Sequence, residues 1–160
     1  MNIQEMLAPL TAEGIGMTLL CGFIIGLERQ LSGKPVGIRT CCLICLGTYT
    51  FIISGQIIQS TTGDPTRIIG QLITGIGFIG AGVILSRGGV VIGITSASVI
   101  WILAGIGILI AFEKYHAAFI LSVIVVIILK GVAVLEHFFA FFGKGIYSKF
   151  SKHKIDSKGG

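Results

Sequence analysis

The sequence predicts an all-α, polytopic membrane bundle of about five transmembrane helices, with its N-terminus outside and its C-terminus inside. Three observations predict it. Apolar residues make up 53% of the 160 and charged residues only 12%, with a mean hydropathy of +0.95, and a soluble domain of this length could not cover so much apolar surface. Five stretches approach the ~20 apolar residues that a helix needs to cross the hydrocarbon: 7–27, 38–58, 68–85, 90–112 and 117–135. Short loops join them, so residues 1–136 are expected to form one transmembrane domain, followed by a basic tail over 137–160.

The first stretch ends on Glu28 and Arg29. It has no basic residues ahead of it, and the positive flank follows it, so no cleaved signal peptide is expected. The second begins at Arg39 and Thr40. The third, IIGQLITGIGFIGAGVIL, carries no formal charge over eighteen residues, five of them glycine. In water each glycine would weaken a helix by about 1 kcal/mol relative to alanine, whereas in lipid it lets helices approach closely. Gly75, Gly77, Gly80 and Gly82 are therefore the expected packing positions, with Gly75 and Gly82, seven residues apart, facing a neighbouring helix. The match of Gly75, Gly77 and Gly80 to G-x-G-x-x-G lacks the strand, turn and helix start of a dinucleotide loop.

Polar residues mark the helix ends. Asp64 followed by Pro65 suits a helix N-cap and first position, and Arg67 lies one turn above Gln71, with Thr74 continuing a polar stripe on the same face. Such stripes usually face other helices or water. Glu28 and Arg39 share a membrane face and could pair across the first loop. Glu13 and Lys130 are the other candidates for charge within the bilayer, where an unpaired charge costs about 2.5 to 3.5 kcal/mol on insertion scales.

Orientation follows from the basic residues. Of twelve lysines and arginines, nine fall in the first loop, the third loop and the tail, two fall opposite (Arg67 and Lys114), and Lys130 lies within the fifth stretch. The nine belong on the cytoplasmic side. The tail, beside Phe138, Phe139, Phe141 and Phe142, reads as an anchor over anionic lipid, not a nucleic-acid arm. Cys21, Cys41, Cys42 and Cys45 include one CxxC without a nearby histidine and read as small apolar packing residues, not a zinc site. No cofactor site is evident, the metal question stays open, and no nucleophile, base and orienter occur together, so an enzyme is not expected. His116, His137 and His153 are scattered.

Three ordered blocks, GFIIGLERQLSGKPVGIRT, DPTRIIGQLITGIGFIGAGVI and GITSASVIW, carry a resemblance over roughly residues 14–107. The chain resembles the MgtC/SapB family of bacterial inner-membrane proteins, and the shorter SapB/YhiD-like members in particular, since only 25 residues follow Leu135. The resemblance implies a multi-pass protein of the inner membrane. It also implies a role in growth at low magnesium, acid tolerance or intracellular survival, exerted on a membrane partner such as the ATP synthase or an ion transporter. One protomer offers few carboxylates, Glu13, Glu28 and Asp64, so transport would call for a homo-oligomer. The resemblance places the family's polar positions on Glu28, Arg29, Arg39, Asp64, Arg67, Gln71 and Thr95. A non-enzymatic regulator is the expected function, and a transporter or channel for magnesium or another cation the alternative.

Topology is tested by reporter fusions after Lys34, Gly63, Gly88, Tyr115 and Phe150. The charge asymmetry predicts cytoplasmic signals at the first, third and fifth positions and external signals at the others; an external signal at Phe150 would contradict it.

Overall fold

A computed structural model describes residues 7–59, 65–87 and 89–142. The helices are α1 (Ala12–Leu31), α2 (Ile38–Gln59), α3 (Pro65–Gly82), α4 (Ile94–Ala111) and α5 (Tyr115–Phe142), and the strands β1 (Leu85–Arg87) and β2 (Val90–Ile92) lie between α3 and α4. The chain divides into two compact units, residues 1–126 and 127–160, the second receiving the C-terminal half of α5. The predicted all-α bundle is correct.

Helix α1 starts five residues later than the hydropathy indicates. The Thr11 hydroxyl caps it by accepting from the Gly14 N–H at 3.0 Å, and Glu13 sits exposed in the first turn, where a negative charge suits the helix dipole. The helix also runs one turn further, to Leu31, and closes through Ser32 N–H to Glu28 O and Lys34 N–H to Arg29 O around Gly33, whose φ is 62°. Glu28 and Arg29 are therefore inside the helix and not at its boundary.

The α1–α2 contact is built on small residues spaced by four. Gly14, Thr18, Gly22 and Gly26 line the buried face of α1. A Cβ on Gly22 would sit 2.7 Å from Cys42 Cα, and one on Gly26 2.5 Å from Ile38 Cα, so the two backbones touch. At the other end, Thr11 N–H donates to the Tyr49 hydroxyl at 3.0 Å. Helix α4 completes the core, because a Cβ on Gly107 would lie 2.8 Å from Cys45 O. Cys21, Cys41 and Cys45 are fully buried and all four cysteines are free; Cys41, Cys42 and Cys45 point their thiols at the carbonyls of Val36, Leu19 and Leu103. These are packing contacts, as expected.

Polarity is inverted relative to a water-soluble bundle. Thr18, Glu28, Arg29, Thr48, Ser96 and Ser122 are buried, while Leu43, Phe51, Trp101, Ile120 and Ile124 are exposed. Two of the buried hydroxyls are satisfied by their own helices, Thr18 through Ile15 O at 2.7 Å and Ser122 through Ala118 O at 2.9 Å. Only lipid makes this arrangement favourable. Among the described residues, α1, α2, α4 and α5 are long and apolar enough to cross a membrane.

Two expectations change here. Helix α3 is not among those four, since Arg67, Gln71 and five glycines dilute the hydropathy of its 18 residues. The expected spans 68–85 and 90–112 also overrun their helices, because Leu85–Arg87 pairs antiparallel with Val90–Ile92 in the register Leu85↔Ile92 and Arg87↔Val90. That register leaves a two-residue turn, in which Gly89 has φ 82°.

The glycine ridge makes a direct prediction. Gly22→Leu and Gly26→Leu should each cost more than the roughly 1–3 kcal/mol typical of overpacking, because backbone and not a flexible side chain stands in the way. Monodisperse yield in mild detergent should collapse for both, while Gly75→Leu, with no atom within 4 Å of its Cβ, should keep it. Equal yields would disprove the backbone contact.

Candidate functional site

The last turns of α1 bring two adjacent charges into the bundle. Glu28 is 5% and Arg29 4% exposed. Periodicity explains this: 18, 21, 22, 25, 28 and 29 recur at helical spacing on the face that meets α2 and α4. Arg29 Nη2 donates to Ser96 Oγ, 2.9 Å away on the first turn of α4. Glu28 Oε1 accepts from the Ser32 hydroxyl at 2.8 Å. Arg29 Nε and Glu28 Oε2 have no hydrogen-bond partner among the described residues. A buried carboxylate with one open lone-pair region and a guanidinium with one free N–H form the most polar cluster in the interior, and low dielectric makes each group's bonding consequential.

The expected Glu28–Arg39 pair is not formed. The extra helical turn places Ser32 four residues from Glu28, within local reach, while Arg39 is exposed at the start of α2. Thr95 is likewise exposed, whereas its neighbour Ser96 is buried. The motif position next to the expected one therefore faces the site. Its signal was present in the spacing of the buried residues 96, 99, 100, 103 and 107 along α4.

The α3 residues form a second, separate region. Arg67 and Gln71 are exposed, and the Thr74 hydroxyl, also exposed, donates to Gly70 O at 2.9 Å. The polar stripe is thus exposed, although Gln71 also borders the groove between α2 and α3. Asp64, with its expected cap and pairing to Arg67, lies outside the described residues. The packing expectation for the glycines is corrected: Gly75, Gly77 and Gly82 meet nothing within 4 Å, and Gly80 alone approaches a neighbour, with Ala97 3.6 Å from its added Cβ. The reason is geometric, because α3 meets α4 through the Gly80 side and α2 through Ile68, which packs on Gly55, and leaves the Gly75, Gly77 and Gly82 positions open. Between α2 and α3 runs an apolar groove of about 670 Å³, whose walls include Thr48, Phe51, Ile68, Gln71 and Gly75. Thr48, on the α2 wall, is buried, and its Oγ1 has no hydrogen-bond partner among the described residues.

The charged cluster predicts a graded response. Ser96→Ala should destabilise the detergent-solubilised protein by about 1.5–3 kcal/mol, as expected for losing a hydrogen bond to a charged group. Thr95→Ala should change stability by less than about 0.5 kcal/mol, as for exposed positions generally. Thermal unfolding followed by fluorescence reads both, and equal shifts would remove Ser96 from the site.

Comparison with known proteins follows the same blocks. Residues 15–138 match the model of the MgtC family. YhiD of Escherichia coli K12, whose name assigns it provisionally to magnesium transport, is 39% identical over 132 residues, covering 76% of this chain and 61% of YhiD. SapB of Bacillus subtilis is 40% identical over 113 residues, covering 66% of this chain and 49% of SapB, and MgtC of Brucella abortus is 36% identical over 99, covering 62% and 41%. The chain spans about half the length of the curated relatives it matches. No solved structure matches it. A polar interior at Glu28 and Arg29, an outward-facing glycine-rich third helix, and a family match over most of the chain lead to one assignment: this membrane protein belongs to the MgtC family.

Proposed function

We propose that the protein is a non-enzymatic regulator of the bacterial inner membrane that binds a helix of another membrane protein in the groove between α2 and α3. The observation that carries this reading is the open face of α3. Gly75 and Gly77 leave its backbone uncovered, and Gln71 stands exposed beside a groove whose other wall holds Thr48, a buried hydroxyl without a partner among the described residues. In lipid, polar side chains are satisfied by facing other helices, and small residues allow those helices close approach. The family resemblance names the ATP synthase or an ion transporter as candidate partners in adaptation to low magnesium, acid stress or life inside a host.

One observation favours transport as the second reading. The buried Glu28 carboxylate keeps Oε2 free, and a hard cation takes oxygen ligands of this kind. A single carboxylate is a poor Mg²⁺ site by itself, since the ion prefers near-octahedral oxygen coordination.

The two readings separate experimentally. A tagged copy in mild detergent should retain a membrane partner, and Gly47→Leu or Gly75→Leu should release it while the protein stays folded, because neither Cβ meets an atom within 4 Å. The same variants should lose growth support at low magnesium. The protein reconstituted alone should leave internal Mg²⁺ unchanged under a gradient. Saturable Mg²⁺ flux abolished by Glu28→Gln would overturn the regulator and establish the transporter.

A further inference from the structure

The hairpin between α3 and α4 exposes large apolar side chains on both of its faces. Strand residues alternate sides, so Leu85, Val90 and Ile92 lie on one face and Val91 on the other with its partner Ser86. Leu85 is 58%, Val90 62%, Val91 52% and Ile92 50% exposed. A sheet standing in water would alternate apolar and polar, and an isolated two-stranded hairpin is barely stable there. The base is nonetheless fixed: Gly93, at φ 93°, is packed so closely that an added Cβ would overlap the Val83 carbonyl. The hairpin is therefore a set projection of the bundle.

We infer that this hairpin is a lipid-binding wedge, seated in the interfacial layer of the bilayer and held there by anionic headgroups. Three observations choose lipid over a protein partner. Large apolar residues are exposed on both faces, Leu85, Val90 and Ile92 on one and Val91 on the other, whereas a docked protein would cover one. Ile84 and Ile94, which flank the strands in sequence, and Phe78 and Ile79 on α3 are exposed as well, the kind of surface that the bilayer covers on the neighbouring helices. The turn follows Arg87, which gives the hairpin its one formal charge, and a cation near a bilayer surface is attracted to anionic headgroups. Depth is set by the backbone. Two open strand edges cannot enter hydrocarbon, where their N–H and C=O groups would lack partners, but headgroups and water can satisfy them. The inference is independent of the groove and of any partner bound there.

Tryptophan quenching in the full chain tests it. The single native tryptophan is removed by Trp101→Phe, and Val90→Trp or Val91→Trp places the reporter on either face, at positions exposed enough to take the ring. The protein is reconstituted into phosphatidylcholine vesicles with or without phosphatidylglycerol. Both reporters should be quenched more by lipids brominated near the glycerol end than by lipids brominated near the chain terminus, and acrylamide quenching should fall at least about twofold below that of free tryptophan, as for an interfacially buried ring. In phosphatidylglycerol vesicles Arg87→Glu should raise acrylamide quenching about twofold, with little change in phosphatidylcholine alone. Acrylamide quenching equal to free tryptophan would overturn the wedge. So would shielding from both quenchers, or lipid quenching at one reporter only, since each means that protein covers the hairpin. Identical behaviour of Arg87→Glu in the two vesicles would overturn the role given to anionic lipid.

Discussion

The approach of α1 to α2 at Gly22 and Gly26 is the constraint on which the remaining architecture rests. Without side chains at those points the two backbones touch, and the helical repeat then carries residues 28 and 29 onto the same buried face. Gly107 brings α4 equally close to α2, which places Ser96, three turns earlier on α4, where Arg29 can donate to it. The charged cluster is thus a consequence of close packing upstream. Neither charge could be buried by an interface that left room for lipid, because lipid offers no partner to either.

An interior held this way divides the molecule into two kinds of surface. α1, α2 and α4 spend their small and polar residues on each other and present large apolar side chains outward. α3 differs in keeping Arg67, Gln71, Gly75 and Gly77 exposed beside its outward Phe78 and Ile79. A helix that packs on α2 and α4 through Ile68 and Gly80, yet keeps exposed groups that lipid solvates poorly, is suited to association. This is why a binding role fits the protein better than a path through its centre, where Glu28 and Arg29 are tied to Ser32 and Ser96.

Much of the fold was legible because hydropathy and length decide it: every stretch of about 20 apolar residues contains a helix. The helix ends were less legible, and the site depends on them. Placing the end of α1 at residue 27 instead of Leu31 turned two buried charges into boundary charges and suggested a pair with Arg39. The hairpin was missed because Val90, Val91 and Ile92 are as apolar as the helix that follows, and periodicity cannot separate so short a run from a span. Gly22-x-x-x-Gly26 escaped notice for a related reason. The denser glycines of α3 drew the packing expectation, but glycine permits close approach without compelling it, and only the tertiary arrangement shows which glycines are met. Asp64 lies outside the described residues, so its expected cap gains no structural counterpart.

The central claim is that the α3 face remains open in the chain alone and closes only on a partner. A nitroxide at position 75, in a chain whose four native cysteines are replaced by alanine, reads this directly by electron paramagnetic resonance in bilayers at high lipid-to-protein ratio. The account predicts a mobile label with strong accessibility to dissolved oxygen, both lost on addition of the captured partner. An immobilised, oxygen-shielded label in the protein alone would contradict it, showing that the face is already occupied.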